Sequence, residues 1–112
     1  MYNEIIELDI FDDLIEDKNI NIVICTQLIF CDYLNNQHDL NSNYKFEVIK
    51  YGFQGYYTVV GIKYLTDSAT TIEDTVIEKF NFLMNNLKIY DLITFYIKNE
   101  ESINNIRINL NR

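Results

Sequence analysis

Between Tyr44 and Tyr64 the apolar residues keep a period of two, and that alternation constrains the fold more than any other feature of the chain. Tyr44, Phe46 and Val48 are separated by Lys45 and Glu47, the pattern of a strand with one buried face. Gly52-Phe53-Gln54-Gly55 supplies a turn. Tyr56, Thr58, Val60, Ile62 and Tyr64 then line the returning strand, which completes a hairpin.

Other periods flank this hairpin. Over residues 1–17, Ile6, Leu8, Ile10, Phe11, Leu14 and Ile15 fall on one side of a helix, with Asp9, Asp12, Asp13, Glu16 and Asp17 opposite. Lys18-Asn19 breaks the pattern. The apolar stretch 21–36 exceeds strand length and reads as a buried helix, and 35–43 is a polar loop. Thr70 with Glu73 forms a capping box, opening a helix whose stripe is Ile72, Val76, Phe80, Leu83 and Leu87. Two further strands are expected at 89–98 and 103–110, turning at Asn99-Glu100-Glu101-Ser102. The expected order is ααββαββ, an α+β fold with a four-stranded, mostly antiparallel sheet. A chain of 112 residues is one domain. It divides into an acidic helical half, 1–43, and a neutral sheet-containing half, 44–112.

The division is electrical. Residues 1–44 hold nine acids (Glu4, Glu7, Asp9, Asp12, Asp13, Glu16, Asp17, Asp32, Asp39) and one base, Lys18, which is the whole net charge of −8. Residues 45–112 hold eight acids and eight bases. An AT-rich gene explains 18 Ile and 15 Asn, but it supplies Lys as readily as Asn, and the chain has only 7 Lys and 2 Arg. An acidic face repels nucleic acid and anionic membrane, so the fitting partner is a basic protein surface. Apolar runs such as Ile22 to Ile24 are far too short to span a bilayer. Cys25 and Cys31 read as reduced core residues, because a disulfide between positions six apart on one helix is strained. With no signal peptide in view, the expected compartment is the cytoplasm.

Catalytic and metal chemistry find little support. The single histidine, His38, lies in a polar loop beside Asp39, and Ser42 lacks the strand-to-helix turn of a catalytic serine. Cys25 and Cys31 match no zinc spacing, and Asp9 to Asp17 lacks the glycine of a calcium loop. Gly52, Gly55 and Gly61 lie in a hairpin rather than before a helix, so no phosphate cradle is formed. No cofactor, metal or catalytic activity is expected. What remains is the acidic helix, whose carboxylates four apart repeat about every 6 Å along the axis. That row is able to occupy phosphate sites in a basic groove.

Several stretches, collinear over residues 4–95, resemble the staphylococcal uracil-DNA glycosylase inhibitors, small acidic proteins that mimic DNA. They are Asp12-Asp13-Leu14-Ile15 with Asp17, Thr26 to Ile29, Tyr33, and Leu40-Asn41-Ser42-Asn43-Tyr44-Lys45-Phe46. The series continues with Gly61 to Leu65, Asn81-Phe82-Leu83-Met84 and Leu92-Ile93-Thr94. The resemblance implies a 1:1 complex in which the inhibitor fills the DNA-binding groove of uracil-DNA glycosylase. Its carboxylates replace phosphates, and an apolar pocket captures the leucine that the enzyme wedges into DNA. On this chain the phosphate mimics implied are Glu4, His38 or Asp39, and Asp67. The acidic helix adds Glu7, Asp12, Asp13 and Glu16. Phe30 and Leu34 are the expected pocket lining. The strand expected beyond Glu101 is an addition to the family pattern.

Two other functions fit a chain of this composition. One is inhibition of another nucleic-acid enzyme, as an anti-CRISPR or toxin-immunity protein. The other is a small carboxylate-dependent hydrolase, which requires its acids to converge in a cleft.

Overall fold

The structure, a computed structural model, describes residues 4–7, 20–39, 44–51, 57–64 and 69–110. The hairpin is its centre. Strand β2 (Tyr44–Tyr51) pairs antiparallel with β3 (Tyr57–Tyr64), in a register running from Tyr44 opposite Tyr64 to Tyr51 opposite Tyr57. Strand β1 (Glu4–Glu7) pairs antiparallel with the other edge of β3, giving the order β1-β3-β2. Ile6, Ile62 and Phe46 share one cross-strand row. Phe46, in that row, is buried.

Helix α1 (Ile20–Asn35) precedes the hairpin; α2 (Ala69–Asn86) and α3 (Ile89–Leu110) follow it. Apolar positions occur all round α1, as in a helix covered on most sides, and Val23, Ile24, Phe30 and Leu34 have no exposed surface. Thr26, also buried, satisfies its hydroxyl by donating to the Ile22 carbonyl at 2.8 Å. At the C-terminus of α1, the Asn36 and Gln37 side-chain amides donate back to the carbonyls of Asp32 and Tyr33. The same two carbonyls also accept the Asn36 backbone N–H, at 3.2 Å each, so the side chains reinforce the last turn of the helix. Among the described side chains of α2, Val76 and Phe80 are buried, and Phe80 meets Phe30 edge-on, with ring centroids 5.1 Å apart.

The expected order ααββαββ with a four-stranded sheet is overturned. The described side chains belong to three helices, the short turns beside them and a single strand segment, Lys45–Val48. Residues 89–98 and 103–110 are not strands but one helical stretch, α3, interrupted at Asn99, whose φ of −124° and ψ of 22° are non-helical. The cause lies at both ends of the segment. At its start, the Asp91 carboxylate accepts the Lys88 backbone N–H at 2.9 Å, which is half of a capping box. Further on, Ile103 and Ile106, three apart, pack with Leu92, Phe95 and Tyr96 around Ile24 and Cys25. That spacing belongs to a helix face. The turn expected at Asn99 survives only as the kink.

Residues 4–7 are likewise strand rather than part of a helix over 1–17. Ile5 and Ile6 are β-branched, and β3 offers them an unpaired edge. The rest of that expected helix, the turn at 52–55 and the side chains of Thr70 and Glu73 lie outside the described residues. Among the described residues, no helix is long and apolar enough to cross a membrane.

Candidate functional site

Of the acidic positions singled out by sequence, Glu4, Glu7 and Asp39 are described, on β1 and in the turn after α1. Glu4 and Glu7 occupy the ends of the edge strand β1, where Glu7 shares a cross-strand row with Gly61 and Glu47. Glu47 therefore joins the acidic positions, although the sequence did not single it out. Asp12, Asp13, Glu16 and Asp67 lie outside the described residues. His38 and Asp39 are exposed in the turn after α1. Asp39 is engaged within the chain: its Oδ2 lies 3.4 Å from Lys79 Nζ, which also donates to Gln37 Oε1 at 3.4 Å. This lysine on α2 ties the turn down and offsets one of the carboxylates read as a phosphate mimic.

Phe30 and Leu34 have no exposed surface and belong to the core. The open apolar recess is elsewhere. Where α3 crosses α1, a groove of about 310 Å³ is lined by Asn21, Ile22 and Cys25 on one side and Ile89, Leu92, Ile93 and Tyr96 on the other. That volume is at the lower end of the range for ligand clefts, about 300–1,000 Å³. Beside the groove, α3 leaves Ile89, Tyr90, Ile93 and Ile97 exposed. The isoleucine spacing of four was the signal for this face. It was obscured because Ile89, Ile93, Phe95 and Ile97 also fit a period of two.

The two cysteines are free. Burial pushes the Cys25 thiol up to about 11. Cys31 rises to about 12, through burial first and then the carboxylates of Glu47 and Asp32. Neither is a thiolate at neutral pH, so neither is poised as a nucleophile. Among the described residues, no three His, Cys, Asp or Glu side chains converge as a metal site. Among the described residues, what the arrangement offers is the open apolar recess between α1 and α3.

Comparison with protein-family models, with curated proteins and with solved structures gives no match to the chain.

Proposed function

We propose that the chain is a non-catalytic inhibitor of uracil-DNA glycosylase that acts by mimicking DNA, in a 1:1 complex in the cytoplasm. The observation that carries this reading is the charge division: nine acids and one base in residues 1–44, against eight of each in 45–112. A one-sided anion is drawn to a basic DNA-binding groove and speeds encounter with it. The resemblance of the stretches from Asp12 to Thr94 supplies the target. The α1–α3 groove is the recess available to the enzyme's intercalating leucine, a place that Phe30 and Leu34 cannot provide. The chain itself binds neither nucleic acid nor membrane and needs no cofactor.

The test is stoichiometric titration of uracil excision. Activity should fall linearly and vanish near one equivalent. Full excision at micromolar excess, with glycosylases from several sources, sinks the proposal.

One observation favours a wider class. Leu92-Ile93-Thr94, part of the resemblance, lies in helix α3 and not in the expected strand. Inhibition of another nucleic-acid enzyme, of the anti-CRISPR or toxin-immunity kind, is the second reading. A pull-down that returns a nuclease and no glycosylase decides for it.

A further inference from the structure

Residues 81–102 run from the end of α2 through most of α3 without one buried residue, between the buried Phe80 and Ile103. Within that run, 89–98 is set off by a break in the helical ladder at each end. Before it lies the Leu87–Lys88 connection between the two helices. After it comes Asn99, non-helical at φ −124° and ψ 22°. Each break is bridged locally. The Asp91 carboxylate accepts the Lys88 N–H at 2.9 Å, and Asn99 Nδ2 donates to the Phe95 carbonyl at 2.9 Å. Both bonds lie within 88–99, so they close the ends of the segment without tying it to α1. Glu100 and Glu101 then stand in the first turn of the continuing helix, where its dipole favours acids.

The packing of 89–98 on α1 is apolar and partial. Leu92, Phe95 and Tyr96, all half-buried, meet Ile24 and Cys25. Beyond Asn99 the hold is firmer, because Ile103 has no exposed surface. The segment also supplies Ile89, Leu92, Ile93 and Tyr96, the described groove walls that face Asn21, Ile22 and Cys25.

We propose that 89–98 is a lid over this groove, which lifts from α1 as one unit bounded at Asn99 while Ile103 and the rest of the domain stay packed. A segment with few buried apolar groups and solvent-exposed helical hydrogen bonds opens at a lower free energy than the whole domain unfolds. Closed, the lid leaves Cys25 only 2% exposed. Open, it uncovers Ile24 and Cys25 and turns a narrow recess into a wider apolar floor. A helix this short is marginal once off its support, so the open lid also exchanges its amide hydrogens. This opening goes beyond the inhibitor reading and stands without it.

The two thiols of the unaltered chain report on it. Cys25 packs against the lid, whereas Cys31 is buried elsewhere on α1, within reach of the Glu47 and Asp32 charges. A small alkylating reagent near pH 8, read by peptide mass spectrometry, gives a rate for each thiol, which is divided by its rate in the urea-unfolded chain. Cys31 should label only as fast as global unfolding allows, and steeply faster with urea. Cys25 should label more than about tenfold faster than that limit, with little urea dependence, because a local opening exposes little surface. Phe30 lies about 140° round α1 from Cys25. Phe30→Leu should therefore speed Cys31 by the factor that its urea unfolding gives and leave Cys25 unchanged. Hydrogen exchange should be faster in peptides covering 89–98 than in those covering 103–107. Equal protection of the two thiols, or a Cys25 rate that follows Phe30→Leu in step with Cys31, overturns the proposal. Exchange of 103–107 as fast as that of 89–98 removes the boundary at Asn99 and overturns it as well.

Discussion

Asn35 holds the backbone of Phe46 at both of its polar groups: Nδ2 donates to the Phe46 carbonyl at 2.8 Å, and Oδ1 accepts the Phe46 amide at 3.1 Å. One side-chain amide thus does what a neighbouring strand would do. Because β2 is an edge of the β1-β3-β2 sheet, its outward groups are open to pairing with another chain. Asn35, the last residue of α1, closes that edge at Phe46 and fixes α1 to the hairpin.

Asn35→Ala should therefore cost about 1–2 kcal/mol, because both Phe46 backbone groups lose their side-chain partner. Urea unfolding measures the loss. Asn35→Asp, which keeps the acceptor and removes the donor, should fall between the variant and the wild type.

Phe30 is buried and stacked edge-on against Phe80. Phe30→Ala should lower stability by about 3–5 kcal/mol, whereas Phe30→Leu should cost about 1 kcal/mol and leave target binding unchanged. A Phe30→Leu variant that unfolds normally but binds weakly would return this ring to the contact surface.

Lys79 restrains Asp39 and Gln37. Lys79→Met should change stability by less than about 1 kcal/mol, since the Asp39 side chain is 63% exposed and the pair is well screened. It also releases one carboxylate. Association with a basic target, followed by stopped flow at low salt, should become faster.

Burial keeps the two thiols protonated to higher pH in the folded chain than in the unfolded one, where they ionise near 9.0. Their stabilising contribution is complete below about pH 9 and is lost as pH rises through the folded values, about 11 for Cys25 and about 12 for Cys31. Stability should fall over that window, and less steeply in a chain carrying Cys25→Ala and Cys31→Ala. Labelling by a thiol reagent near pH 8 should be slow in buffer and fast in urea.

Asp12→Asn combined with Asp13→Asn should slow association with the glycosylase and flatten its salt dependence. Binding that is unchanged at low salt transfers the contact to Glu4 and the Asp39 turn.

What the chain discloses without coordinates depends on how local each cause is. The hairpin is legible because alternation at Tyr44, Phe46 and Val48 is written within one strand. Helix α2 is legible because Val76 and Phe80 repeat at the helical period. Strand β1 is not, because its reason for being a strand is the edge of β3, far along the chain. In α3, Ile89, Ile93 and Ile97 satisfy either period. The decision falls to the Asp91 cap and to packing against Ile24 and Cys25. The same holds for the site. Sequence marks α1 as apolar all round, which does not tell whether Phe30 or Ile22 faces an opening. The groove exists only because α3 lies across α1.

The β1-β3-β2 order also has a consequence in time. Glu4 pairs with Tyr64, a closure across about sixty residues that is entropically among the slowest to form. During synthesis β1 is made before its partner: until Tyr64 has left the ribosome, Glu4–Glu7 cannot complete its pairing with β3.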